Sequence, residues 1–180
     1  VSAETISALA AVGTFFVIAA SAIAAIVQLR HLRMSNQIST MLEYERLLLD
    51  EGFLEKRTEL AQRAGEWGRD RDVLERIVTR AGREYRVVSS VANVFENMGS
   101  MVRYGMLDRE VSLSLWAHLA FSTWETLAPL TATIRARIGT DAIWENFEYF
   151  AALSTEYIEQ HRTTTYPKDV PRLPLPRPPA

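Results

Sequence analysis

Between Ile6 and Leu29 the chain carries no charged residue across 24 consecutive positions. No other feature limits its fate so strongly. As a helix the run measures about 36 Å at a rise of 1.5 Å per residue. A bilayer's hydrocarbon core is about 30 Å thick and takes about 20 residues to cross. The run therefore spans a membrane with some tilt. A secretion signal fits less well, because such a signal places its cations before the apolar stretch. Here Glu4 precedes the run, and Arg30, His31 and Arg33 follow it. Ala22 and Ala24 imitate a cleavage motif, but the apolar run continues beyond them. A buried soluble helix of this length would need a large surrounding core. The expectation is a retained single-pass anchor. The chain starts at Val1 rather than Met, which leaves its native start open.

Excess Arg and Lys mark the cytoplasmic flank of a span. Arg30 and Arg33 thus predict an N-terminus outside and the bulk of the chain in the cytoplasm, with both guanidinium groups reaching lipid phosphates. His31 sits at the interface and no His lies deeper, so the run offers no imidazole to a metal at membrane depth.

Within the run, Ser7, Thr14, Ser21 and Gln28 recur every seven residues. Seven steps of a helix return to within about 20° of the same face. Ala10, Ala11, Ala24 and Ala25 fall at or beside that stripe. Small and hydroxylated residues let helices approach and hydrogen-bond in lipid, and a seven-residue period suits a left-handed crossing. The stripe is expected to be a partner-facing seam. The competing reading is that Ser and Thr bond only to carbonyls of their own helix.

Beyond the run, Ile38, Met41, Leu42, Leu48 and Leu49 keep helical spacing, so the anchor should continue as helix. The sequence DEG at Asp50 to Gly52 predicts a break or kink, followed by a short helix from Phe53 to about Ala64 and a loop at GEWGRD, Gly65 to Asp70. One long helix is expected from about Asp72 to Tyr104, with Leu74, Ile77, Val78, Ala81, Val88, Ala92, Phe95 and Gly99 on its core stripe. Gly105 should stop it and Asp108 should cap the next helix. That helix shows an apolar face of Leu115, Trp116, Leu119, Thr123, Leu127, Leu130 and Ile134, is kinked or split by Pro129, and ends at Gly139. Thr140 or Asp141 should cap a last helix bearing Ile143, Phe147, Phe150, Ala151 and Ser154. No segment alternates with a two-residue period. The expected fold is all-α: a transmembrane anchor and juxtamembrane segment over 1–34, a cytoplasmic bundle of about four helices over 35–166, and an extended Pro-rich tail over 167–180. Six of the 7 prolines lie from Pro167 onward. Pro171, Pro174, Pro176 and Pro178 are the expected docking positions of that tail.

Several chemistries are excluded or weakened. The absence of Cys removes thiolate catalysis and Cys-based metal sites. Net charge is −2, which gives no general attraction to nucleic acid. A di-iron bundle needs Glu-x-x-His pairs. The residues three before His31, His118 and His161 are Gln28, Leu115 and Ile158, so the motif is missing. There is no His-Glu-x-x-His and no phosphate-cradling glycine loop. No cofactor, metal or catalytic residue is expected. Glu96 lies on the flank of the core stripe, close to the line of Arg103. A carboxylate there could serve as an acid or base, but a structural ion pair with Arg103 is the favoured reading. Trp116, Trp124 and Trp144 read as core residues. Arg76, Arg80 and Arg83 form a basic stripe with Arg86 at its edge. It could meet lipid head groups, an acidic partner or RNA. The alternative is a solvated face balanced by Asp72, Glu75 and Glu84.

Four stretches, LEYERLLLDEGFLEKR, VANVFENMGSMVRYGMLDREV, FSTWETLAPLTATIR and WENFEYFAALS, follow the anchor in that order. Together they resemble an uncharacterised bacterial family classed as a domain of unknown function, over roughly residues 5 to 160. The resemblance implies one N-terminal membrane helix and a helical cytoplasmic domain, and supplies no catalytic residue. The Pro-rich tail departs from its pattern. The expectation that results is a non-catalytic accessory subunit of a larger bacterial inner-membrane complex, respiratory or photosynthetic. It would contact membrane lipids and other transmembrane subunits and would not bind nucleic acid. The alternative is a homo-oligomeric membrane sensor or effector.

Overall fold

A computed structural model describes residues 2–161 and 169–173, apart from the side chains of 6–11. All its secondary structure is helical: α1 (Ala3–Leu49), α2 (Glu51–Trp67), α3 (Arg71–Val78), α4 (Gly82–Arg103), α5 (Arg109–Ile138) and α6 (Glu145–Gln160). No strand occurs among the described residues. The chain divides into two compact units between Leu49 and Asp50. Helix α1 passes without interruption through the 34/35 boundary drawn from composition.

The first unit is α1 alone, 47 residues long, or about 70 Å. Nothing in Ala3–Leu49 breaks a helix, since the run is dominated by Ala, Leu and Ile without an internal proline.

In the second unit, aspartates start three helices. Asp50 accepts from the Phe53 N–H at 3.0 Å, Asp70 from the Asp72 and Val73 N–H groups, and Asp108 from the Val111 N–H at 2.9 Å. Each such cap contributes about 1 kcal/mol. The break at DEG thus rests on Asp50, and Gly52 already lies inside α2. The expected loop at Gly65 to Asp70 is shorter than its composition suggested. Helix α2 runs on to Trp67, which is buried, and the chain turns only at Gly68 and Arg69.

The long helix expected over 72–104 is two helices. Thr79, Arg80 and Ala81 separate them, with Arg80 at φ 58° and Gly82 at φ 80°. The Ala81 N–H bonds back to the Arg76 carbonyl at 2.7 Å, which closes α3 in a left-handed cap. Five helices therefore follow α1 among the described residues, one more than spacing alone implied. Helix α5, by contrast, is not split at Pro129. It runs through 30 residues to Gly139, whose φ of 77° ends it.

Helix α4 packs on α6, α2 and α3, while α5 packs on α6 and α2. The core lies where these meet. Phe95 and Phe147 stack with ring centroids 4.8 Å apart, and Trp124 meets Phe147 edge-on at 5.1 Å. Leu60, Met98, Leu127, Leu130 and Phe150 are buried on the same helices or on α2. Gly99 sets the approach of α4 to α6, because a Cβ there would lie 1.9 Å from the Asn146 carbonyl oxygen. On α5, Trp116, Thr123, Leu127, Leu130 and Ile134 face the core as expected, but Leu115 is exposed.

Candidate interaction surfaces

The surface that most needs explaining is that of α1. Phe15, Phe16, Ile18, Ile23 and Leu29 are each more than 60% exposed, and Val12, Val17, Ile26 and Leu32 are exposed as well. These side chains point all round the helix, since 100° steps distribute positions 15, 16, 17 and 18 over its circumference. By length and composition α1 can cross a membrane, over Val12–Leu49. A helix apolar on every side is one that water does not solvate well.

Of the seam residues, Thr14, Ser21 and Gln28 lie on α1, and Ser7 is among those whose side chains are not described. The Ser21 hydroxyl donates to the Val17 carbonyl of its own helix at 2.8 Å, as the competing reading anticipated. Its oxygen keeps acceptor capacity after that bond. Arg30 and Arg33 are exposed just past the apolar run. Of the tail positions, Pro171 is exposed, whereas Pro174, Pro176 and Pro178 lie outside the described residues.

The basic stripe is not one surface. The break at Thr79–Ala81 puts Arg76 on α3, Arg83 on α4 and Arg80 between them. Arg76 pairs with Glu84 at 3.0 Å and Arg83 with Glu59 at 2.7 Å. The hydrogen bond from Arg76 holds the Glu84 carboxyl below its ordinary pKa, and the same bond raises that of Arg76. Glu75 pairs instead with Arg137 of α5. Balance by acids is therefore real for Arg76 and Arg83, in both cases through an acid on another helix. Arg80 has no carboxylate partner among the described residues.

Glu96 is structural in a way that spacing did not reveal. Its Oε2 accepts from the Phe147 N–H at 2.8 Å and its Oε1 from the Asn146 side-chain amide at 2.7 Å. The N-cap position of α6 is Trp144, at φ 54° and with no cap from its own side chain, rather than Thr140 or Asp141. The carboxylate of α4 thus fills the place an N-cap side chain would take, against the positive end of the α6 dipole. Arg103 is not its partner; it bonds Asn146 at 3.0 Å and Glu145 at 3.3 Å.

Trp116 is buried and Trp124 packs on Phe147, as core residues should. Trp144 departs from that reading. It borders an open cavity of about 610 Å³ together with Ile77, Val78, Arg80, Tyr85, Ser89, Asn93, Ile134, Ile138, Thr140 and Ile143. Its indole N–H donates to Asn93 Oδ1 at 3.0 Å, which fixes the ring. Arg135 holds the α5–α6 connection beside it through two bonds to the Ile143 carbonyl at 2.9 and 2.7 Å. Among the described residues, the two non-glycine positions with positive φ are Arg80 and Trp144, and both line this cavity. A non-glycine residue in that region costs about 1–2 kcal/mol. No local pattern announced the cavity beyond placing Arg80 on a basic stripe, because its walls come from α3, the α3–α4 turn, α4, α5 and the α5–α6 connection. No group of three or more His, Asp or Glu able to hold a metal occurs among the described residues.

A family described as a domain of unknown function, DUF4760, matches the chain over residues 15–154. The match begins within the apolar run and ends in α6, so Ser7, Thr14 and the Pro-rich tail fall outside it. No curated protein and no solved structure matches the chain.

Proposed function

The chain belongs to the DUF4760 family, whose function is unknown, and on that premise we propose from its own chemistry that it is a non-catalytic, single-pass accessory subunit of a larger assembly in a bacterial inner membrane. Helix α1 is the anchor, with its N-terminus outside. Arg30 and Arg33 sit at the cytoplasmic head groups. The bundle of α2 to α6 braces the assembly from the cytoplasmic side, and the Pro-rich tail lies across a neighbour. A respiratory or photosynthetic complex is the host class.

The observation that carries this reading is the exposed apolar surface of α1 from Val12 to Leu32. At about 25 cal/mol per Å² of apolar area, a helix of this kind gains far more from lipid than from water. Thr14, Ser21 and Gln28 give the anchor one polar line, suited to a neighbouring transmembrane helix. The engagement of both Glu96 oxygens with α6 supports a non-catalytic bundle. Purification from native membranes in mild detergent tests the proposal. Co-migration with other membrane subunits is expected; a chain that elutes alone at monomer mass overturns it.

The seven-residue repeat of Thr14, Ser21 and Gln28 also suits a second copy of the same helix, which would make the chain a homo-oligomeric sensor or effector. The chain has no native Cys, so Ser21→Cys reports alone. Homotypic crosslinks in native membranes favour this second reading, and crosslinks to other chains favour the first.

A further inference from the structure

The cavity bordered by Arg80 and Trp144 is independent of the anchor, and its lining specifies a ligand. At about 610 Å³ it falls within the range of sites that bind small molecules, about 300–1,000 Å³. Its apolar wall combines Ile77, Ile134, Ile138 and Ile143 with Trp144, beside polar groups such as Ser89 and Thr140. Arg80 is the one charged side chain among the lining residues. Glu84, Glu75 and Glu59 are committed to other cations, Arg76, Arg137 and Arg83, and no salt bridge to Arg80 occurs among the described residues. Arg80 thus lines the cavity without a carboxylate partner among the described residues, from a left-handed backbone position that glycine would fill more easily. Trp144 is held in the same kind of position, with its ring oriented by Asn93. Strain kept at two points of one cavity is a recurrent mark of binding sites.

We propose that this cavity binds a single-tailed amphiphile with a carboxylate head, a long-chain fatty acid. The tail lies among the isoleucines and against Trp144, and the carboxylate takes the Arg80 fork in a bidentate pair. One cation matches one carboxylate charge. A phosphate monoester carries about −1.5 to −2 near neutral pH and calls for more than one. A cationic or uncharged head group leaves Arg80 unused.

Photolabelling tests the assignment on the full chain in phosphatidylcholine nanodiscs, with a fatty acid that carries a mid-chain diazirine. Labelled peptides are mapped by mass spectrometry. The peptide holding residues 138–144 is expected to label, with dodecanoate competing and dodecyltrimethylammonium not. Arg80→Gly removes the cation while easing the backbone, and should lower that labelling about tenfold, the equivalent of one charge-assisted pair. The methyl ester of the probe should label the native chain and Arg80→Gly alike. Ile138→Glu, at an exposed position on the rim, should lower labelling by the acid through charge repulsion and leaves the core untouched. Labelling confined to α1, or unchanged in both variants, overturns the proposal. Displacement by dodecyl phosphate but not by dodecanoate overturns the carboxylate assignment.

Discussion

Helices α1 and α5 are both long and both rich in apolar residues, yet their side chains end in opposite surroundings. Helix α5 sends Trp116, Leu127, Leu130 and Ile134 into a core and turns Ser114, Glu125 and Arg137 outward. Helix α1 has no such division. From Val12 to Leu29 its apolar side chains other than Ala19 are exposed, and they point to every side. A helix with one apolar stripe finds its complement inside a protein, whereas a helix without a polar face needs a different solvent. The same residue types thus stabilise the bundle in one place and call for a bilayer in the other.

The largest test of that contrast compares two phenylalanines. Phe147 is fully buried between Phe95 and Trp124. Phe147→Ala should cost about 3–5 kcal/mol, read as a lowered urea midpoint in near-UV circular dichroism. Phe15 is 67% exposed, and Phe15→Ala should leave that midpoint in place. Comparable losses at both positions would make α1 part of the soluble core and end the comparison. Ile18→Asp approaches the contrast from the other side. A carboxylate at the centre of a span costs about 2.5–3.5 kcal/mol. The variant should shift the chain from carbonate-resistant membranes to the soluble fraction, with the bundle's midpoint unchanged. Retention in the membrane would sink the reading of α1 as its anchor.

The contrast between the two regions was legible in the sequence because it rests on local pattern. An uncharged run needs no tertiary information, and neither do the interruption at Asp50 to Gly52, Asp108 as a cap or Gly105 and Gly139 as stops. What spacing hid depends on pieces that meet only in three dimensions. The break between α3 and α4 keeps apolar periodicity on both sides, so spacing ran straight through Thr79 to Ala81. The start of α6 was misplaced because its cap comes from Glu96, some fifty residues earlier. Pro129 was overrated as a splitter, since α5 carries it on an exposed face. The candidate cavity was illegible for the same reason as the Glu96 cap, its lining being scattered over α3 to the α5–α6 connection.

Glu96 sharpens the comparison within the bundle, where polar groups are placed as deliberately as apolar ones. Glu96→Ala leaves the Phe147 N–H and the Asn146 amide without their acceptor and should cost about 1–3 kcal/mol. Glu96→Gln, which keeps an acceptor oxygen but loses the charge, should recover part of that loss. Hydrogen exchange should locate the damage in the first turn of α6. An unchanged denaturation midpoint in Glu96→Ala would remove the structural role and reopen a chemical one.

The smallest effect concerns charge, which the apolar run of α1 lacks and the bundle arranges in pairs. The Arg76 hydrogen bond lowers the folded-state pKa of Glu84 from its ordinary value of 4.5. A lowered folded value means that the native state holds its proton less tightly than the unfolded chain does. Its contribution to stability is therefore complete above the ordinary value and disappears as pH falls through the lower folded one. The raised value of Arg76 works in the opposite sense, at alkaline pH beyond the range of a folding measurement. The side chains are 42% and 22% exposed, so solvent and salt screen the pair and its contribution is small. Glu84→Gln should thus barely move the urea midpoint at low pH, lower it slightly at pH 7, and flatten the profile between. High salt should shrink the difference between variant and native chain. A profile parallel to that of the native chain would mean that the pair is geometry without energy, and that the bundle, like the anchor, is held by its apolar contacts alone.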